Sequence, residues 1–84
     1  MQEKEIGRIT HYYNHLSVGI IELCDTLNLG DNIHIKGHTS DFTQSIDSIQ
    51  IEHTGVSSAK AGDVIGIKVA QLVHPHDKVY KVIP

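Results

Sequence analysis

At 84 residues the chain has room for one domain with one core, and residues 1–84 are expected to form it. Its 7 Lys and Arg against 10 Asp and Glu give a net charge of −3, so the general attraction for phosphate backbones that marks an autonomous nucleic-acid binder is missing. The single cysteine, Cys24, excludes an internal disulfide. The charged start Met1-Gln2-Glu3-Lys4-Glu5 and the lack of any run approaching roughly 18 apolar residues argue against a signal peptide and a membrane span, so a cytoplasmic location is expected.

Isoleucine and valine dominate the apolar residues, and only Phe42, Tyr12, Tyr13 and Tyr80 are aromatic. Side chains branched at Cβ are stiff at χ1 and suit a pleated surface, which favours strands. The first strand is expected over Glu5–Tyr13, with a turn at Asn14-His15. The second runs from Ser17 to Cys24, where Val18, Ile20, Ile21 and Leu23 are too dense for simple alternation; a bend or bulge at Gly19 would accommodate them. Residues 25–31 form a connection ending in a Gly30-Asp31 turn. The third strand, Asn32–Lys36, sets Ile33 and Ile35 against His34 and Lys36.

After a polar loop at residues 37–41, the fourth and longest strand is expected over Phe42–His53. Ile46 differs in parity from Ile49 and Ile51, which places a bulge near Asp47-Ser48. Residues 55–63 read as a loop with a short helical turn around Ser57–Lys60. Val64–Val73 alternates Ile65, Ile67 and Val69 against Gly66, Lys68 and Ala70. His74-Pro75-His76-Asp77 is a turn, and Lys78–Ile83 is the last strand. Ser17–Leu29 has apolar residues at helical spacing, but its β-branched residues and Gly19 make it a poor helix. Six short strands separated by glycine turns imply an all-β fold, a small closed six-stranded barrel, because closure removes sheet edges.

Several segments resemble the β-barrel that follows the GTPase domain in translation elongation factors such as elongation factor Tu. They are Gly7-Arg8-Ile9-Thr10, Leu29-Gly30-Asp31-Asn32-Ile33-His34-Ile35, Ile46-Asp47-Ser48-Ile49-Gln50, and Ala59-Lys60-Ala61-Gly62-Asp63-Val64-Ile65-Gly66-Ile67, in that order. The chain is more similar still to stand-alone translation elongation factor-like proteins, and a related barrel occurs at the C-terminus of some collagenase-like peptidases. The physical reading of these motifs is that Gly30 and Gly62 sit where chain reversal requires φ > 0, with Asp31 and Asp63 accepting backbone N–H groups.

The resemblance implies a binding module that contacts tRNA, the ribosome or a protein partner. By position, Gln50, His53 and Ser58 fall where the elongation-factor barrel meets the aminoacyl end of tRNA, although the charged residues of the family are not present there. No Gly-x-x-x-x-Gly-Lys-Ser/Thr phosphate loop exists, so no nucleoside triphosphate is expected to bind, and neither a cofactor nor an enzymatic activity is expected.

The remaining constellations each have an ordinary reading. His74 and His76, with Asp77, could offer ligands to a metal, to be completed by His11, His15, His34, His38 or His53. A site needs three or four ligands, however, and an exposed turn explains the histidines, so no metal is expected. His11, Tyr12, Tyr13 and His15 could form an exposed stacking patch; otherwise they are a strand end with one tyrosine inward. Cys24 reads as a small core residue. Two further functions stand beside the binding module. One is an accessory domain working with a collagenase-like peptidase or an RNA-modifying enzyme. The other is a small histidine-based metal-binding protein.

Overall fold

The structure, a computed structural model, describes residues 2–83, which are all β with no helix. None of the described residues forms a helix long and apolar enough to cross a membrane. Ten strands occur in chain order: β1 (Gln2–Tyr13), β2 (Val18–Leu23), β3 (Leu27–Asn28), β4 (Asn32–Lys36), β5 (Asp41–Ser45), β6 (Ile49–Ile51), β7 (Thr54–Val56), β8 (Ser58–Ala59), β9 (Val64–Lys68) and β10 (Lys78–Ile83). Eight form one antiparallel sheet in the order β5-β4-β10-β1-β2-β9-β6-β7, and β3 pairs with β8.

β1 is the central strand because it is long and twice bulged. Its first half pairs with β10, with a register shift between Glu5 and Gly7, and its second half pairs with β2, with a shift between Ile9 and His11. Each extra residue reverses the parity of the strand beyond it, so Ile6 and Ile9, three apart, both face the core. Gly7 is required at the first bulge: a Cβ there would lie 2.6 Å from the carbonyl oxygen of Glu22 and 2.9 Å from Ile21 Cγ2. The core is almost wholly aliphatic, with Ile6, Ile21, Leu27, Ile33, Ile35 and Val79 fully excluded from solvent and Phe42 at its rim.

Three of the turns that launch strands are built alike. In Asn28–Asp31, Lys60–Asp63 and His74–Asp77 the closing aspartate donates its N–H to the first residue's carbonyl (3.1, 3.0 and 3.2 Å). The aspartate carboxylate in turn accepts the first residue's N–H (2.9, 3.0 and 3.0 Å). The third residue has positive φ in each: Gly30 at 89°, Gly62 at 93° and His76 at 76°. These turns start β4, β9 and β10.

Several expectations need correction. The long strand expected over Phe42–His53 is two strands, because Ile46 leaves the β5 ladder to exchange backbone hydrogen bonds with Gly30 and Asp31, and Glu52-His53 turn the chain with φ of 50° and 65°. The loop expected at 55–63 holds the end of β7 and all of β8 instead of a helical turn. The bulge expected at Gly19 lies instead in the partner strand β1, between Ile9 and His11 and opposite Ile21 and Ile20; Gly19 pairs regularly with Tyr12 and is buried against Ile9, Val69 and Val73. Cys24 is exposed.

Among the described residues there are ten strands, not six, and the main ladder does not close: β5 and β7 remain its two ends. A side chain crosses part of this gap. Gln44 on β5 donates from Nε2 to the carbonyl of Lys68 and accepts the N–H of Ala70 at Oε1, both at 2.8 Å. One amide thereby imitates a rung of ladder between β5 and the segment after β9.

Candidate docking groove

In most of this small sheet one face is buried and the other polar, yet β2 is apolar on both. Ile21 and Leu23 point into the core, while Val18 and Ile20 are only half-buried on the outer side. Across the ladder Ile20 faces Gly66 of β9, and Gly66 faces Gln50 of β6. The missing side chain at Gly66 leaves a notch: a Cβ there would rest in ordinary contact with Val18 Cγ1 and Ile20 Cδ1, at 3.4 and 3.5 Å.

The notch is the floor of a surface groove of about 690 Å³. Tyr13 and Leu16 form one wall, Ile51, Glu52 and His53 the opposite one, and Gly62, Asp63 and Val64 one end. Leu16 and Val64 are 65% and 52% exposed, and each would contribute about 1.5–3 kcal/mol if fully buried. Left-handed backbone marks both walls, at Ser17 beside Leu16 (φ 56°) and at Glu52-His53. Strain of this kind in residues other than glycine collects at binding surfaces.

The lining offers an apolar floor, the carboxylates of Glu52 and Asp63 and the imidazole of His53. It contains no serine, threonine, cysteine, lysine or arginine. Among the described residues neither Glu52 nor Asp63 is in an ion pair, but the Asp63 carboxylate is already engaged by the Lys60 N–H of its turn. Such a surface can hold an apolar partner, with Lys68 beside Val18 on the same face, but it lacks a nucleophile beside a base.

Gln50 and His53 both line this groove, whereas Ser58 lies apart from it on β8, paired with Asn28. The patch of His11, Tyr12, Tyr13 and His15 is divided by strand alternation. His11 and Tyr13 share a face with ring centroids 4.5 Å apart, Tyr12 packs against the core, and His15 is exposed in the β1–β2 turn. His74 and His76 stay at their turn, where His74 Nδ1 is 3.4 Å from Thr39 Oγ1. Among the described residues no three His, Cys, Asp or Glu side chains converge as metal ligands would. Sequence reasoning misses Leu16, Val18, Ile20, Val64 and Gly66 as groove residues. The density of apolar residues in β2, more than one face can use, is the signal that could have found them.

A second cluster lies away from the groove. His34 on β4 meets carboxylates on both ring nitrogens: Glu3 of β1 at Nδ1 (2.9 Å) and Asp41 of β5 at Nε2. The hydrogen bond to Asp41, then that to Glu3, holds the imidazole pKa above its ordinary value. The same bond to His34 lowers that of Asp41.

No family model matches the chain. It is 42% identical over 77 residues, 90% of its length, to an uncharacterized protease of Methanocaldococcus jannaschii. It is 33% identical over 82 residues to a collagenase of Porphyromonas gingivalis. The chain spans about a fifth of the length of these relatives, 19% and 23% respectively. Among solved structures, the C-terminal domain of a U32 peptidase from Geobacillus thermoleovorans superposes with a TM-score of 0.89, covering 95% of this chain and 93% of that one at 19% identity.

The chain has the fold of that C-terminal domain. These matches overturn the reading as a translation elongation factor-like protein, and with it the RNA- and ribosome-binding role that rested on the resemblance. The reason is visible in the turns. The Gly-Asp motifs report a turn type that starts a strand, and His74–Asp77 makes the same turn with no Gly-Asp pair at all. Motifs of that kind are shared by β-domains whatever their role. The barrel at the C-terminus of collagenase-like peptidases, which the sequence also resembles, is the branch that the matches favour.

Proposed function

We propose that this chain is a non-catalytic accessory domain that works with a collagenase-like peptidase by docking onto it. The observation that carries this reading is the 42% identity across 90% of the chain to a segment amounting to 19% of a protease. A segment of that size is a module of a larger protein, not its whole machinery. The groove supports the same reading, because it is apolar and open and lacks a nucleophile. The Gln44 bridge between β5 and the end of β9 supports a barrel-like wrap that would present the outer face of β2 and β9 as a rigid platform.

Affinity purification of the tagged chain from its native cells tests the reading. Recovery of a collagenase-like peptidase in stoichiometric amount, with the isolated chain inert on gelatin, is the expected result. Recovery without any peptidase, or gelatin cleavage by the chain alone, would overturn it.

A further inference from the structure

We propose that His34 is a proton-operated latch on the edge strand β5: the charged ring fastens β5 and β1 to β4, and loss of one proton frees the Asp41 end of β5 while Glu3 stays held. Nothing in this depends on the groove or on the docking role.

The latch follows from counting protons. Nδ1 of the ring lies 3.0 and 2.9 Å from the two carboxylate oxygens of Glu3, and Nε2 is hydrogen-bonded to Asp41. An ionised carboxylate only accepts, so both contacts are hydrogen bonds only while the ring carries two protons. A neutral imidazole has one N–H, and its other nitrogen turns a lone pair towards a charged oxygen. Deprotonation therefore removes one contact outright. Glu3 offers both its oxygens to Nδ1, whereas Asp41 offers one to Nε2. The Asp41 side chain is also 69% exposed against 40% for Glu3, so water replaces the ring more readily there.

What is freed is a strand with few other ties. β5 ends the main ladder and pairs only with β4. Phe42 anchors it to the rim of the core. The side-chain hydrogen bonds beside it run from Ser40 to the carbonyl of Leu72 at one end and from Gln44 to Lys68 and Ala70 at the other. Glu3, by contrast, lies in a strand paired along its length with β10 and then β2.

The other charged or titratable groups around the ring do not compete for its proton. Glu5 of β1 and Lys78 of β10 are 3.6 Å apart and face each other. Tyr80 of β10 stands beside the ring with centroids 6.3 Å apart, and Lys36 of β4 is paired with Asp41. Of all these groups only the histidine ordinarily titrates between about pH 5 and 8. The bonds to Asp41 and then Glu3 raise its pKa, so the latch is fully closed below the ordinary 6.5 and opens as pH rises through the folded value.

NMR of the 15N-labelled chain tests this in two ways. Above the transition the ring nitrogens should report Nδ1–H and a bare Nε2. Amide protection in β5, taken relative to β2 on the far side of β1, should fall several-fold between about pH 5.5 and about pH 8.5. In Asp41→Asn the new amide can accept from the charged ring and donate to the neutral one, so the β5 ratio should no longer change with pH. His34→Gln should give a flat profile too, which keeps the test valid if the first variant unfolds. A neutral ring protonated at Nε2, a β5 ratio that does not move with pH, or the same pH dependence in Asp41→Asn would each overturn the proposal.

Discussion

His76 occupies the place that glycine holds in the two sister turns. Its φ of 76° puts an L side chain in the left-handed region, where Gly30 and Gly62 sit without steric penalty. Pro75 before it fixes the preceding φ and suits the second position of such a turn. His76→Gly is therefore expected to raise stability by about 1 kcal/mol, read as a higher urea midpoint with an unchanged slope. Lower stability would mean that the imidazole makes a contact worth more than the relieved strain. Its neighbour Asp77 tolerates no such freedom. It is buried, it caps the turn, and its carboxylate fills the space a Cβ at Gly37 would need.

Among the elements, β4 is held to its surroundings by more than its ladder. The His34 ring ties Glu3 of β1 and Asp41 of β5 across the outer face, with Tyr80 of β10 beside it and Lys36 near Asp41. The folded imidazole has a raised pKa, so its contribution is complete below the ordinary value of 6.5 and is lost as pH rises through the folded value. Asp41 has a lowered pKa, so its contribution is complete above the ordinary 3.8 and is lost as pH falls through its folded value. The clasp is thus strongest between about pH 4 and 6.5. Thermal unfolding midpoints should fall on the alkaline side of that window, and His34→Gln should flatten that limb. A slope equal in variant and wild type would show that the clasp contributes nothing.

Residue patterns made much of this element structure legible. The alternation in β4, β9 and β10 and the positive φ at Gly30 and Gly62 follow from parity and turn chemistry alone. What the pattern hid was non-local. Phe42–His53 reads as one strand with a bulge near Asp47-Ser48 because no glycine or proline interrupts it, and the exchange of hydrogen bonds between Ile46 and Gly30 and Asp31 divides it in two. The groove was half legible. Gln50 and His53 fall in it, but Leu16 and Val64 look like ordinary core residues until the fold turns them outward. His34 could be singled out as a histidine, but its two carboxylates lie 31 and 7 residues away.

At the scale of the molecule, the sheet order places the last strand between the first and the fourth. Gln2 pairs with Ile83, and β10 alone joins the β4–β5 hairpin to β1 in the ladder. Deleting residues 78–83 is expected to abolish cooperative unfolding by circular dichroism, because it separates the sheet into two pieces and exposes Ile33 and Ile35. A truncated chain that still melted in one sharp transition would contradict this. The same pairing has a consequence in time. A ribosome adds roughly 5–20 residues each second, and for all that interval the growing chain holds a row of isoleucines it cannot shelter. Pairing of distant strands is itself slow, on the order of milliseconds to seconds. The interval before Ile83 emerges is therefore when this domain is most exposed to aggregation, and when it has most need of a chaperone.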